Sequence, residues 1–600
     1  MNGKISEIKW RIFISILTCI GFHFKFETLA QAISDELNSL SQINIDSAKY
    51  LLQTSYLAIE KYLKENSIYH PHKINNRLLN INNTVFITLY IDGKVRGCRG
   101  SKKGNIIESV IYATIKALKD RRFKPIEKEE IKKMFIELSI LGPKEKINSP
   151  KEIELGIHGL YLVKGKKTAI YLPCVPIIYQ MDRETLLARL CKKAGLKKNA
   201  WKDKETKIFK FETLDFLRTP KGEVVELTRG TLYVPLSEVN WIRIFRSAVY
   251  GCNWLVRNQN PNGSYMYLYY PHKDKESRQN SYVRQAGVSY AVALMYRFTK
   301  YKKYKTSSLQ AIEYLLNNIK FLDKKKKLPY IYFAGTGKLG STGLTLVAMS
   351  LLELHKESSK YAKIMKQFVY SILNMQNKDG SFMAYFEPKV LKPGQNYFPG
   401  EAMLGLIEYY KINPEERILR AIEKAFSYYK KYWKENKNRP FIPWHSCVWA
   451  QMYKITKKKK YADFVFEMND WLITKQYDLK NSPYKDYFGG WVREGVPNFE
   501  AAVYVEGLAE AYSVAKMLKD KKRIDSYGKT IVRALRFVLN LQFKPVDMYY
   551  VKKPSKTLGG FRASLVKNYL RCDITDHAIV GMAKVLSYME DLELLKYIRF

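Results

Sequence analysis

The spacing of hydrophobic positions along this chain changes once. Between about residues 33 and 218, apolar residues alternate in short runs rich in β-branched and aromatic side chains. These runs predict strands at Val85–Ile91, Met134–Ile140 and Leu160–Val163. Asp92-Gly93, directly after the first run, supplies the two left-handed positions of a tight hairpin turn. Ile106 to Leu118 has apolar residues three and four apart and predicts an amphipathic helix. Thr219-Pro-Lys-Gly222 and the extended stretch through Gly230 to Pro235 lose both periods, so 219–240 reads as a linker.

From Trp241 onward the strand pattern vanishes, and a helical hairpin of about 50–60 residues recurs six times. One helix of each pair is striped. Ile531, Ala534, Leu535, Val538 and Leu541 share a face, while Lys529, Arg533 and Arg536 look away. The other helix is apolar nearly all round, as in Val503–Val514, and such a helix is buried on every side. Striped helices are expected near 245–259, 307–319, 361–376, 417–433, 461–476 and 528–542. Buried ones are expected to begin near Arg284, Thr342, Glu401, His445, Glu500 and Asp573. Four striped helices end in glutamine (Gln259, Gln376, Gln476, Gln542), and the loops beyond them pair glycine with an aromatic residue. An open solenoid needs polar end caps, and neither the first nor the last buried helix is polar enough to be one. The hairpins are therefore expected to close into an all-α (α/α)6 toroid over 241–600, behind an α+β domain.

The first half resembles the AMMECR domain family along nearly its whole length. The resemblance rests on VFITLYIDGKVRGCRGS, DRRFKPI, IELSILGPKEKI, GLYLV, LPCV and LLARLCKKAGLKKNAW, in that order. It implies a compact α+β domain over 33–218, with two subdomains around a mainly antiparallel sheet. The family's most characteristic run stands here as Arg96, Gly97, Cys98, Arg99 and Gly100. Arg99 replaces a usual hydrophobic residue, and Cys174 replaces a common glutamine. Cations beside a thiol favour the thiolate, which makes Cys98 a candidate nucleophile. The alternative is a small buried hydrophobe held by glycines in a tight bulge. The second half resembles in architecture the six-hairpin toroids of glycosidases, uronyl epimerases and polysaccharide lyases. It is more distantly similar to terpenoid-cyclase toroids, whose turns have the same Gln and Asp-Gly-Ser-aromatic pattern.

Composition narrows the classes. Six hundred residues with 46% hydrophobic and 14% aromatic content exclude a disordered chain. Lys+Arg 102 against Asp+Glu 57 gives a net charge of +45. The surplus is lysine spread along the whole chain without a recognition motif, so no specific nucleic-acid partner is expected. Seven scattered cysteines without a CxxC pair indicate neither a zinc site nor a disulfide framework. No cofactor is implied, and no apolar run reaches the ~18–20 residues of a membrane span. Lys4, Lys9 and Arg11, an apolar stretch from Ile12 to Phe24, and Ala30-Gln31-Ala32 form the layout of a signal peptide over 1–32. Export to the periplasm or beyond is the expectation that follows.

In a closed ring the six buried helices run the same way, so their N-termini share one mouth, which attracts anionic or hydroxyl-rich ligands. Residues expected there are Arg284, Glu401, His445, Glu500, Asp573, Asp576 and His577. Tyr265, Tyr385, Trp444 and Trp491 join them from the adjoining loops and helix starts. Aromatic faces beside carboxylates suit a sugar, neutral or anionic. Glu500, Asp573, Asp576 and His577 are acid/base candidates, with Glu401 and His445 across the mouth. Arg284, Arg493 and Arg562 could neutralise a uronate. Glycoside hydrolase, lyase and epimerase chemistry remain open at this point, as do a non-catalytic glycan- or partner-binding scaffold and thiol-based modification chemistry at Cys98. Asp573-x-x-Asp576-His577 lacks a third ligand at recognisable spacing, so no metal is expected.

Overall fold

The computed structural model describes residues 40–598 apart from 41, 72–77, 324 and 326. The leader expected at 1–32 lies outside the described residues. The chain divides into two units between Gly230 and Thr231.

The strands of the first unit are β1 (Val85–Ile91), β2 (Lys94–Ser101), β3 (Phe135–Leu141), β4 (Glu145–Lys146), β5 (Gly159–Lys164), β6 (Lys167–Tyr171), β7 (Lys207–Phe211), β8 (Thr213–Arg218) and β9 (Val224–Thr228). One antiparallel sheet runs β9-β8-β3-β1-β2, and a second runs β4-β7-β5-β6. Asp92 and Gly93 turn β1 into β2 with φ of 49° and 71°, as the dipeptide requires. Helices α1 (Ile45–Glu65) and α2 (Ile106–Leu118) pack on the first sheet and on each other. After the short α3 (Cys174–Ile178), α4 (Arg183–Lys193) backs the second sheet. Each sheet has its own core: Ile87, Leu138 and Val110 belong to one, Leu160, Leu187 and Leu190 to the other. The expected strands and helix are present. β9, however, lies in the stretch read as linker, so the unit runs past residue 218. Its residues pair with β8 through backbone groups that a Pro/Gly count does not reveal.

The second unit consists of six helical hairpins. Its outer helices are α5 (Trp241–Arg257), α7 (Lys302–Leu316), α9 (Ser359–Leu373), α11 (Glu416–Glu435), α13 (Lys459–Ile473) and α15 (Lys521–Leu541). Its inner helices are α6 (Tyr282–Thr299), α8 (Leu339–Leu351), α10 (Phe398–Ile412), α12 (Ile442–Thr456), α14 (Glu500–Met517) and α16 (Cys572–Tyr588). Each inner helix packs on the next, and α16 packs on α6, which closes an (α/α)6 ring.

One device repeats around the ring. Gln259, Gln376, Gln476 and Gln542 each donate from Nε2 to two carbonyls. One belongs to a glycine of the following loop; the other belongs to the next outer helix. Those glycines (Gly263, Gly380, Gly489, Gly559) have φ between +86° and +93° and press against the neighbouring helix, where an added Cβ would strike a backbone carbonyl. Glycine is required at these positions by both backbone angle and space. The fourth copy joins the end of α15 to Ser247 on α5 and so forms the closing joint.

Candidate active site at the ring mouth

The inner helices begin without the usual side-chain caps. Their N-cap residues are Ser281, Lys338, Tyr397, Phe441, Phe499 and Arg571, and none supplies a capping hydrogen bond. Asn240, Ser358 and Asp520 do cap outer helices. The mouth therefore collects helix N-termini whose positive ends are not quenched by their own N-cap side chains.

A cavity of about 430 Å³ opens there, within the range of small-molecule sites. The structure brings Arg284, Glu401, Trp444, Glu500, Asp573, Asp576 and His577 together in its wall. At its centre, His577 on α16 meets Glu506 on α14 at 2.6 Å from Nδ1 to Oε1, with Asp576 Oδ1 at 3.8 Å. Burial alone would lower the His577 pKa. Glu506 and Asp576 outweigh it and push it up to about 10, so the ring is an imidazolium at neutral pH.

Glu401 on α10 is buried, and its Oε2 has no hydrogen-bond partner. Burial, only partly offset by His577 and Lys338, pushes its carboxyl up to about 8. Asp576 is raised well above the ordinary carboxylate range, again by burial first. Glu401 and Asp576 are thus both biased toward their protonated forms. Glycines on neighbouring helices make room for these acids. A Cβ on Gly287 would lie 3.0 Å from Asp576 Oδ2, and one on Gly340 would strike Glu401 Oε2.

The remaining groups are committed by their partners. Asp573 accepts from Arg284 Nε at 2.9 Å and from Arg571 Nη2 at 2.9 Å, which occupies it as an anchor for two arginines. Arg284 also donates to the Tyr267 hydroxyl. Glu500 is held by Arg493 at 3.2 Å and by the Tyr504 hydroxyl at 3.0 Å. Trp444 stands edge-on to His577, their centroids 6.0 Å apart.

Six expected site residues are not in the cavity wall, among them Arg493, which touches it only through Glu500. His445 is fully buried, stacked on Phe441 with centroids 3.6 Å apart and close to Tyr429 of the outer layer, and burial drives its pKa well down. The physical reason is helical geometry: successive residues point ~100° apart, so Trp444 facing in sends His445 outward. Tyr265 bonds Ser307, Trp491 donates to the Leu472 carbonyl, and Arg562 donates to the Asn540 carbonyl. Tyr385 packs edge-on against Phe398. Sequence reasoning passed over Glu506, Lys338 and Arg571. A carboxylate in the middle of a helix read as apolar all round was the signal for Glu506. Among the described residues no group of three or more His, Cys, Asp and Glu is arranged to hold a metal, and no helix is long and apolar enough to cross a membrane.

In the first unit, Cys98 lies on β2, where the Thr88 hydroxyl donates to Sγ at 3.2 Å. The thiolate expected from its arginine neighbours is not favoured. Burial pushes the thiol up, and the arginines spend their charge on Asp120. Against the penalty of its own burial, hydrogen bonds from Arg122 and the Cys98 N–H hold Asp120 down at about 2. Arg96 pairs with Glu130 instead. Gly97 and Gly100 serve close packing: a Cβ on the first would strike the Ala117 carbonyl, and on the second the Phe86 ring.

The sequence profile of the AMMECR1 family matches residues 52–216. A protein of Caldivirga maquilingensis is 33% identical over 201 residues, 30% of this chain and 91% of that one. The crystal structure of an uncharacterized protein from Pyrococcus horikoshii shares 32% identity, covers 31% of this chain and 99% of its own, and gives a TM-score of 0.30. The GH76A alpha-1,6-mannanase from Salegentibacter sp. HEL1_6 covers 58% of this chain and all of its own, at 8% identity and a TM-score of 0.41. Through its first unit, this chain belongs to the AMMECR1 family.

Proposed function

We propose that the helical ring binds a carbohydrate at this mouth and cleaves or rearranges it by proton transfer, with Glu401 as proton donor. The observation that carries this reading is the Glu401 carboxyl. It is buried, raised to about 8, and has an unpartnered oxygen in a cavity walled by aromatic rings. A carboxylic acid kept protonated at neutral pH is what cleavage of a glycosidic bond needs at the leaving oxygen. As the C–O bond breaks, Glu401 would give that oxygen its proton. Glu500, oriented by Arg493 and Tyr504, would take a proton from the attacking water.

Among the three chemistries, hydrolysis is favoured over lyase or epimerase action. The latter two begin with removal of a carbon-bound proton, and His577 is already an imidazolium clamped by Glu506.

Turnover of neutral and acidic oligosaccharides by the full chain, followed by product chromatography, tests this. Glu401→Gln is expected to lower kcat by about 10²–10⁴-fold, the usual weight of a positioned general acid, while binding persists. Binding without turnover in the natural protein would make the ring a glycan-binding scaffold. Absence of binding by any sugar would refute the reading.

A further inference from the structure

The mouth is divided into two unlike sectors. On α16, α6 and α8, which are consecutive around the ring, the wall carries Arg571, Arg284 and Lys338. Phe398, Trp444 and Phe499 line the cavity from the starts of α10, α12 and α14, Phe398 beside Lys338 and Phe499 beside Arg571. Both arginines pair with Asp573, Arg284 through its Nε. Lys338 has no ion-pair partner among the described residues. It lies half-buried at the start of α8, its Nζ 5.9 Å from the centre of the Phe398 ring. Burial first, and then repulsion from Arg284, lowers its pKa, while Glu401 pulls the other way. A half-buried cation with a second cation near it and no anion paired to it is costly, and an anion between the two relieves that cost. The acid on the opposite side of this sector does not supply that anion, because Glu401 keeps its proton up to about pH 8.

Resting on the carbohydrate reading above, we infer that the substrate is a uronate-type sugar. Its carboxylate is received between Lys338 and Arg284, and its C–H face lies on the aromatic sector of Phe398, Trp444 and Phe499. The uncapped N-terminus of α8 adds its own positive end at the same point. The unpartnered Oε2 of Glu401, more than nine-tenths buried in the same wall, is left to meet a sugar oxygen. A neutral sugar would use the aromatic sector and leave Lys338 unanswered. A short acidic peptide would neutralise Lys338 but offer no flat C–H face to the rings.

Titration calorimetry on the full chain tests this with a uronate oligosaccharide and its carboxyl-reduced, neutral counterpart. Sulfated and phosphorylated oligosaccharides of the same length serve as further arms. The natural protein is expected to bind the uronate about 10- to 100-fold more tightly than the neutral form, the weight of one charge-assisted contact. In Lys338→Gln that ratio is expected to fall toward one, and Lys338→Arg restores most of it. Thermal unfolding of each variant confirms that it is folded. Equal affinity for the uronate and the neutral sugar overturns the inference while leaving the carbohydrate reading intact. Preference for the sulfated or phosphorylated sugar overturns the carboxylate assignment. Binding of none of them removes the carbohydrate reading itself.

Discussion

Replacement of Gln542 by alanine tests whether the ring is closed in solution. The side chain makes three buried hydrogen bonds. Nε2 donates to the Ser247 carbonyl at 2.9 Å and to the Gly559 carbonyl at 3.0 Å, and Oε1 accepts from the Ser247 hydroxyl at 2.6 Å. Alanine strands two carbonyls and a hydroxyl away from water, at ~1–3 kcal/mol each. The hydroxyl can turn to another acceptor, so the low end of the range applies and the cost is about 3–5 kcal/mol. That is a large part of the ~5–15 kcal/mol by which a domain is stable.

Gln259 is the internal reference, because it makes the same three bonds at 2.8, 2.9 and 2.7 Å between α5 and α7, a joint that exists whether or not the ring closes. Urea unfolding of the full chain, read by the fluorescence of the fully buried Trp254, Trp433 and Trp449, should show both alanine variants destabilised to a similar extent. A Gln542→Ala protein as stable as the natural one, beside a destabilised Gln259→Ala, would mean that α15 and α5 do not meet. If neither variant loses stability, the hydrogen-bond argument itself fails.

Further outcomes are expected elsewhere. Glu401 ionises at about 8 in the fold, above its ordinary 4.5, so the folded state holds an extra proton between those values. Its contribution is complete at low pH and is lost as pH rises through that window. Glu401→Gln should therefore remove up to ~1.4 kcal/mol per pH unit of slope from urea-unfolding stability between pH 5 and 8, and an unchanged slope would refute the protonated acid. Glu510 is the opposite case: against the penalty of burial, Lys454 and Lys584 hold it down at about 2. Its contribution is present above pH 4.5 and fades as pH falls toward 2, so Glu510→Gln should flatten the acid limb of the same curve. Cys98, with its thiol raised by burial, should alkylate with iodoacetamide at pH 7.5 at least about tenfold more slowly than free cysteine, as read by peptide mass mapping. Faster labelling would restore the thiolate. If the leader is removed as its layout proposes, N-terminal sequencing of the exported protein should begin just beyond Ala32; an intact Met1 would defeat export.

The architecture was legible because the helical unit repeats itself. Six apolar helices alternating with six striped ones fix both the layer of each helix and its order, and the glutamines mark where each outer helix meets the next. Helix starts were less legible. The inner helices begin at Tyr282, Leu339, Phe398, Ile442, Glu500 and Cys572, up to three residues ahead of the expected positions. A start is normally read from a serine, asparagine or aspartate that caps it; five of these helices have aromatic or basic residues there instead, and Ser281 of the sixth makes no capping bond. The missing caps and two of the missed residues have one cause. Lys338 and Arg571 stand at N-cap positions and were passed over because the sequence places them outside the helix, although the fold places them on the rim.

The same logic explains why single positions misled while the set did not. Read one at a time, Asp573 and His445 are acid/base candidates and Cys98 a candidate nucleophile. The fold gives Asp573 two arginines, turns His445 into the outer aromatic layer and surrounds Cys98 with groups that already satisfy one another. A residue's chemistry depends on what remains unpaired after folding, which spacing along a chain does not contain. By that criterion Glu401 and Lys338 stand out in the mouth: one is an acid with an unpartnered buried oxygen, the other a cation without an ion-pair partner among the described residues. If both are substituted together, Glu401→Gln with Lys338→Gln, the mouth keeps its shape and aromatic wall but loses its proton donor and its open charge. Such a protein should still bind neutral sugar measurably, should show no preference for a uronate, and should turn over neither. Uronate preference surviving in that double variant would place recognition on the Asp573-bound arginines instead, and the choice of the unpaired groups as the working ones would be wrong.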